Sequence, residues 1–553
     1  MPPHNPTTPI DPVVSEPDTS SQLLPVVRPA SETAPVPKQK RRAKPPRAAG
    51  KKKPARFDPA AFEQKADVRH VFRRVIEPAQ AATGTIPIVD RLAGTPYANP
   101  MLAEAPQEAD ELVTIDFVLD LGETLFRYGA GAFDVETSII AVTAAFGMKN
   151  IDVDITNQSI IFNWAPEGKV PYSRVRVVRS WSGNFRALCD VHQMVTDVIS
   201  GRLTRAEAQR RLEEIRSEPK PYARWVVTLA GALFAGLFAS YTGAPPLDAF
   251  LGFAATLLVL GITRQLVAWR IPEIFTLAAG GFTATAFALA AVWIGADITP
   301  SMVVAGGLMI LLPSVRIVNA MQDVIHAFPI TAAGRLVSTL VSFAGMTAGI
   351  MTAVIAADAL GAPEVEIVQG IHHIYNPAVL ALLVLATAVT AAIVEQAPWR
   401  LLLPTGAVAC LGFSAYYAAE SLGLGSWFSP VVGAVVIGSL ARIIALRLQA
   451  PLLVVAVPAM MFMLPGLIIF RGMYQIALGS SAEMMNAGLH LLFTAMTIIV
   501  AIAAGIALGD VLMRPITSRM RQNRCRVDRR DQVDDLAANT GTIPIGGRAD
   551  IED

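Results

Sequence analysis

The sequence predicts an α-helical polytopic membrane protein: ten transmembrane helices in two inverted five-helix repeats, with an N-terminal soluble α+β domain. Three observations lead to this fold class. Of 553 residues, 53% are hydrophobic and 16% are charged, against roughly a quarter charged in ordinary globular chains. Residues 225–513 hold only 8 arginines, 11 acidic residues and no lysine. Within that stretch the apolar segments recur at an offset of 152 residues. Together these features exclude a soluble multidomain chain.

Residues 1–109 predict a disordered, basic and proline-rich tail and linker. The tail contains the basic run Lys38–Arg56 and has too few apolar side chains to offset the entropy cost of ordering. Such a run can rest on the anionic lipids of an inner leaflet. The chain lacks the patterned basic and aromatic surface that would predict nucleic-acid binding. The first 56 residues lack the apolar segment of a signal peptide.

Residues 110–217 predict a compact α+β domain. Apolar residues at helical spacing and residues that alternate in polarity follow one another here. Thr204 with Glu207 is a capping-box signature for its last helix. The predicted elements are helices at 112–126 and 134–146, a strand at 151–155, an apolar run at 160–164, a strand at 174–177, and helices from 184 to 216.

Ten apolar segments of roughly 17 to 25 residues follow, each long enough to cross a bilayer. The first five make up domain 225–357 and the second five make up domain 377–512. Arginines concentrate in every second loop, which marks the cytoplasmic face by the positive-inside rule. Both termini, the α+β domain and a disordered tail at 514–553 are therefore predicted to be cytoplasmic. The predicted spans are 225–241, 247–266, 274–295, 301–321, 336–357, 377–395, 400–419, 427–446, 451–471 and 487–512.

The internal repeat is clearest where Met309–Ile317 aligns with Met461–Ile469, because Met, Leu, Pro and Ile recur there at identical offsets. Five is an odd number, so the second set must cross the membrane in the opposite sense. Inverted repeats are typical of secondary transporters whose site lies near the midplane at discontinuous helices. GxxxG pairs at 345–349 and 505–509 predict close helix packing.

Pro313 and Pro465 lie well inside predicted helices, where proline removes a backbone donor and clashes with the preceding turn. A half-helix that begins after such a break presents free N–H groups to a carboxylate, and the carbonyls freed before the break suit an ammonium group. The pattern favours a pocket for a zwitterion such as an amino acid, although both prolines could instead only kink packed helices. The candidate substrate or coupling residues are Pro313, Ser314, Asn319, Asp323, Pro465, Gly466, Arg471 and Tyr474.

Asp323 is the best single candidate for a coupling or ammonium-binding residue. An acid follows the helix break in the first repeat, whereas Gln475 takes the corresponding place in the second. Ionisable groups inside a membrane are costly and point to function, but a solvated position near the helix end is an equal alternative for Asp323. His372 and His373 fall in an outer loop with two glutamates, where a solvated loop is favoured over metal binding or pH sensing.

Several classes of protein are excluded by missing motifs. The chain has no GxxxxGK[ST] loop for ATP, neither HExxH nor GxSxG, and no CxxC or Cys/His cluster for a metal. We therefore expect no cofactor, no metal and no catalytic residue, with energy drawn from a gradient. Ser180, Ser182, Cys189 and His192 are close in sequence, but they define no nucleophile–base pair, and Cys189 is interpreted as a structural thiol.

Several short motifs are spread over residues 112–513 and are distinctive in combination. They are Leu121-Gly122-Glu123, Tyr128-Gly129-Ala130, Val135-Glu136, Arg174–Val178, Gly201–Ala208, Leu312-Pro313, Asn319, Asp323, Pro458-Ala459 and Leu464-Pro465-Gly466. With these motifs, residues 112–513 resemble the bacterial threonine/serine exporter family. That resemblance implies a fused N-terminal domain and two five-helix membrane domains, which export small hydroxylated amino acids by the proton motive force from the bacterial inner membrane. Ser314 departs from the glycine that the family commonly carries after the first proline.

A proton-coupled exporter of threonine and serine is thus the first hypothesis, with an amino acid, protons and the lipid bilayer as partners. A membrane-anchored hydrolase acting on small amino-acid derivatives or peptides is the second, since the family's N-terminal domain has been suggested to be hydrolase-like. A passive small-solute channel is the third. The sequence does not choose whether the α+β domain gates the pore or gathers substrate, and it leaves a homo-oligomer open. The hexapeptide at 83–88 recurs at 540–545 without an evident role.

Overall fold

The computed structural model describes residues 108–540 apart from 167, 169, 179–180, 362–374 and 479–480, and it describes no side chains at 108–110, 314, 426, 477–478 and 518–540. The basic tail, the pair His372–His373 and the first copy of the recurring hexapeptide lie outside the described residues.

The α+β region forms an antiparallel three-stranded meander, in the order β1–β2–β3, packed with helices. Ile151, Val153 and Ile155 are buried in alternation with exposed aspartates, which confirms the strand predicted there. The predicted capping box also forms, with Thr204 and Glu207 each bonded to the other's backbone N–H. The elements are α1 (Glu108–Arg127), α2 (Ala132–Ala145), β1 (Ile151–Thr156), β2 (Ser159–Trp164), β3 (Tyr172–Val177), α3 (Phe185–Ile199) and α4 (Arg205–Ser217).

Within the described residues, eight helices are long and apolar enough to cross a membrane, and a ninth span arises if one bent helix pair is counted. The chain is therefore a polytopic helical membrane protein. The helices are α5 (Arg224–Tyr241), α6 (Pro246–Ala268), α7 (Glu273–Trp293), α8 (Pro300–Met309), α9 (Ser314–Ile325), α10 (Pro329–Ala359), α11 (Pro377–Val394), α12 (Trp399–Ser421), α13 (Gly425–Leu448), α14 (Leu452–Met460), α15 (Gly466–Leu478) and α16 (Ala482–Thr540).

Local sequence explains where many of these helices begin and end. Pro246, Pro300 and Pro329 open α6, α8 and α10, at the position where a missing N–H costs nothing. Gly243 and Gly295 follow α5 and α7 with φ of 97° and 88°, the left-handed conformation that ends a helix readily only at glycine.

The last helix differs from the prediction. The sequence was expected to leave the membrane helix at 512 and become disordered from 514, but α16 continues to Thr540. Residues 514–540 contain no glycine, and their only proline is Pro515. Good helix formers such as Arg, Gln, Leu and Ala extend the helix despite the high charge.

The two sets of helices share one register. Helices α11 to α16 each begin within one residue of the position 152 residues after the start of their counterparts in α5 to α10, with α14 and α15 matching the pair α8 and α9. Corresponding helices also pack alike. A β-carbon at Gly349 of α10 would overlap Ala278 O of α7, and one at Gly509 of α16 would overlap Val435 O of α13. The close packing predicted for both GxxxG pairs is confirmed.

Candidate functional site

Both predicted helix breaks are present. Pro313 separates α8 from α9, and the backbone there leaves helical geometry at φ −77° and ψ 54°. At the second break, a 3₁₀ turn at Met461–Met463 leads to an extended Leu464 with ψ 133°, and the two halves are bent by 59°. Since proline supplies no N–H to the preceding turn, each helix restarts one residue later. The first-turn N–H groups of α9 and α15 have no partners within their own helices.

The two breaks touch one another. Gly466, the first residue of α15, is buried, and a β-carbon there would lie 2.6 Å from the Met309 sulfur and 3.6 Å from Leu312 Cδ1. A β-carbon here would therefore force the Met309 side chain to move. The predicted residues Pro313, Pro465 and Gly466 thus come together, with two helix N-termini able to receive an anionic group.

Asn319 and Asp323 do not join this site but face the α+β domain. The Asn319 side-chain amide donates to Gly129 O at 2.9 Å. One oxygen of Asp323 accepts from the Ala132 N–H at 2.9 Å, at the start of α2, where a negative charge is favoured by the helix dipole. Asp323 is only 1% exposed, so this carboxylate is a fully buried part of the contact between α9 and the α+β domain.

The other Asp323 oxygen pairs with Arg335. Its distance to Arg335 Nη1 is 2.8 Å, and the arginine side chain is 5% exposed. The guanidinium carbon also lies 5.1 Å and 5.7 Å from the ring centroids of Phe126 and Trp181, which is cation–π range. The ion pair therefore joins the end of α9 to the second turn of α10 beneath two aromatic rings of the α+β domain.

The tip of the β1–β2 hairpin docks beside this pair. The Thr331 hydroxyl donates to Ile155 O at 2.6 Å and accepts from the Asn157 N–H at 3.1 Å. A β-carbon at Gly334 would lie 2.7 Å from Asn157 Cγ. The first turn of α10 is therefore shaped to receive this hairpin.

A second contact joins the α+β domain to the corner between α11 and α12. The N–H groups of Phe185 and Arg186, at the start of α3, donate to Glu395 O at 3.0 Å and to Gln396 O at 2.9 Å. The Gln396 side chain accepts from the Tyr222 N–H at 3.2 Å. This contact reaches the second helix set, whereas the contacts of Asp323 and Thr331 involve the first.

Arg471 and Tyr474 lie on α15, beyond the second break. Tyr474 is 4% exposed, and its ring centroid lies 5.8 Å from that of Phe470, whereas Arg471 is half-buried. The eight predicted residues therefore occupy three places: the crossing of the breaks, the contact with the α+β domain, and the distal half-helix. The Ser314 side chain lies outside the described ones.

The cysteine near the predicted serine and histidine cluster is a core residue. Cys189 on α3 has no exposed surface, and this burial raises the pKa of its thiol to about 12. A thiol in that state is not a nucleophile at neutral pH. Among the described residues, no three His, Cys, Asp or Glu side chains are placed to hold a metal ion.

The interface residues that sequence reasoning missed include Arg335, Thr331 and Gln396. In the sequence, Arg335 is one of the arginines that mark the cytoplasmic face. Its signal was present, because an arginine near the start of a long apolar helix calls for an anionic partner. Thr331 and Gln396 act through main-chain groups of a distant domain, and no sequence pattern marks such a contact.

The arrangement is that of a helical membrane protein with two broken helices that meet. A family model described as "Putative threonine/serine exporter" matches residues 116–356, and one described as "Threonine/Serine exporter, ThrE" matches residues 380–512. Together they cover more than half of the chain, which belongs to the threonine/serine exporter family.

Two named relatives are similar over most of their length. A "Threonine/serine exporter" of Corynebacterium glutamicum is 29% identical over 463 residues, which is 79% of this chain and 90% of the relative. A "Probable threonine/serine exporter" of Mycobacterium tuberculosis is 29% identical over 410 residues, or 73% of this chain and 77% of the relative. No solved structure matches the chain.

Proposed function

We propose that this protein is a secondary active exporter of small hydroxylated amino acids, threonine and serine, driven by the proton motive force. The observation that carries the proposal is the contact between the two helix breaks at Met309 and Gly466. Discontinuous helices that meet between two repeats form the substrate sites of many secondary transporters. The names of the two relatives supply the substrate class.

The proposed architecture has ten spans in two inverted sets of five. In this architecture α8 and α9 together form one broken span, and α14 and α15 together form another. The shared register of helix starts supports it. The proposed location is the bacterial inner membrane, and the arginine distribution supports an orientation with both termini and the α+β domain in the cytoplasm.

The substrate is proposed to bind at the breaks. Its carboxylate would meet the N–H groups that open α9 or α15 after Pro313 and Pro465, and its ammonium group would meet carbonyls before the breaks. Arg471 and Tyr474 would line the path beyond the second break. The coupling role of Asp323 stays a prediction: in this structure Arg335 and the Ala132 N–H occupy both of its oxygens, so it would exchange a proton only when that contact opens.

Transport of labelled threonine in proteoliposomes tests the proposal. Unlabelled threonine trapped inside should drive counterflow, with serine competing and bulky amino acids not competing. An imposed proton gradient should accumulate threonine against its own gradient. Equilibration without accumulation would instead identify a passive channel, and chemical conversion of the label, read by chromatography, would identify a hydrolase.

A further inference from the structure

The α+β domain is attached to the membrane helices at two separate places. The first attachment is formed by α9 and α10 with the α1–α2 loop and the hairpin tip, through Asn319, Asp323, Thr331 and Arg335. The second attachment joins the start of α3 to the α11–α12 corner at Glu395–Gln396. One attachment therefore holds the first helix set, and the other holds the second.

The first attachment is charged, buried and many-sided. The Asp323–Arg335 pair is almost entirely out of solvent, and the domain supplies an N–H group, two carbonyls and two aromatic rings around it. Separating the domain here would remove all of these partners at once, and those of Asp323 and Arg335 make charge-assisted or cation–π contacts that are stronger than neutral hydrogen bonds.

The second attachment makes fewer contacts with the domain. The N–H groups of Phe185 and Arg186 donate to Glu395 O and Gln396 O, and the Tyr222 N–H of the connecting segment donates to the Gln396 side chain. The Glu395 carboxyl lies near Lys220, which donates to Gly183 O at 3.2 Å. Gly183, which is exposed, lies at its edge, where a β-carbon would be 3.3 Å from Glu395 Oε2. Water can replace hydrogen bonds of this kind at little net cost when the contact opens.

From this asymmetry we propose that the α+β domain is a gate that travels with α9 and α10 and opens at the α11–α12 corner. The inference rests on the proposed function, in which one helix set moves against the other during transport. A body attached to both sets at one membrane face prevents them from separating there. The weaker attachment must therefore release before that face can open, while the domain's contacts with Asn319, Asp323, Thr331 and Arg335 keep it on the first set.

Two matched crosslinks test the proposal in the full-length protein, in a background with Cys189→Ala, Cys410→Ala and Cys525→Ser. The first crosslink joins Asn157→Cys to Gly334→Cys across the first attachment. Asn157 Cγ, whose place the cysteine sulfur takes, lies 2.7 Å from the β-carbon added at residue 334. The second joins Gly183→Cys to Glu395→Cys across the second attachment. Oxidation closes the 157–334 pair as a direct disulfide, and a short, reducible bis-methanethiosulfonate closes the 183–395 pair. Peptide mass spectrometry measures both yields.

Threonine counterflow is measured before crosslinking, after it, and after reduction. We expect the 183–395 crosslink to lower counterflow to the level of protein-free liposomes and reduction to restore it. The 157–334 crosslink should leave counterflow unchanged. Each protein is its own folding control, because its rates before crosslinking and after reduction should agree.

Three results would overturn the gate: counterflow that persists with the 183–395 crosslink, counterflow that stops with the 157–334 crosslink, or failure of the 183–395 crosslink to form. Absence of threonine counterflow in the uncrosslinked proteins, when the wild-type chain lacks it as well, would instead refute the proposed function. The two ideas therefore fail separately.

Discussion

Replacing Asp323 by Asn removes one charge of the buried ion pair and keeps the shape of the side chain. The amide oxygen of the new residue can still accept from the Ala132 N–H, so the change isolates the loss of charge opposite Arg335. Because the two side chains are only 1% and 5% exposed, the cost is that of an unpaired buried charge, about 3–5 kcal/mol. The rings of Phe126 and Trp181 retain part of the stabilisation of Arg335, which favours the lower end of that range.

The loss should appear as weaker docking of the α+β domain. At about 1.4 kcal/mol for each factor of ten, the open population rises by roughly two to four powers of ten. Hydrogen exchange measured by mass spectrometry on peptides covering 129–137 should accelerate accordingly, because the Ala132 N–H bonds to the Asp323 carboxylate across the interface.

Two comparisons make the measurement decisive. Glu273→Gln breaks the Arg316–Glu273 pair, whose side chains are 37% and 55% exposed, so it should change exchange by no more than the roughly 0–1 kcal/mol of a surface pair. Asp323→Asn combined with Arg335→Gln removes both charges and should be less damaging than the sum of the single changes, with a coupling of about 0.5–3 kcal/mol. Unchanged exchange in Asp323→Asn, or strict additivity in the double variant, would refute the reasoning.

Three further changes test other parts of the molecule. Gly466→Ala should slow threonine counterflow, because its β-carbon would lie 2.6 Å from the Met309 sulfur. Adding Met309→Ala should restore part of the rate, and wild-type counterflow in the single variant would contradict a tight crossing. Thr331→Val should weaken the docking free energy of the α+β domain by about 1–3 kcal/mol, since a buried carbonyl and N–H lose their partner. Hydrogen exchange in the β1–β2 hairpin should rise, and an unchanged exchange rate there would disprove the contact. Cys189 should resist iodoacetamide at pH 8 in the folded protein, because a pKa of about 12 leaves roughly one thiol in ten thousand ionised; rapid alkylation seen by mass spectrometry would revive a nucleophilic role.

Much of the membrane region could be predicted because its constraints are local. An apolar stretch must be long enough for the bilayer and must satisfy its own backbone, so helix positions follow from composition. A proline inside such a stretch breaks it wherever the fold places it. The breaks at Pro313 and Pro465 are therefore predicted correctly. The sequence also marks Gly466 as a candidate, although it does not show the contact with Met309.

The last helix extends beyond the span predicted for it. Charge and polarity after Met513 resembled a solvated tail, but polarity alone does not end a helix that has good helix formers and no glycine. The continuation of α16 to Thr540 agrees with these helix propensities.

The sequence by itself determined the positions of the long apolar helices, the shared register of their starts and the two breaks, because apolar length, proline and glycine act on the chain close to where they occur. Only the tertiary structure decided the environment of Asp323. Its N–H partner at Ala132 lies 191 residues away, and a buried carboxylate is stabilised by whichever donors and cations the fold brings within hydrogen-bond distance. The same physical reason separates the candidate residues: the backbone near the breaks is fixed locally, whereas the roles of Asn319, Asp323 and Arg335 depend on a domain folded elsewhere in the chain.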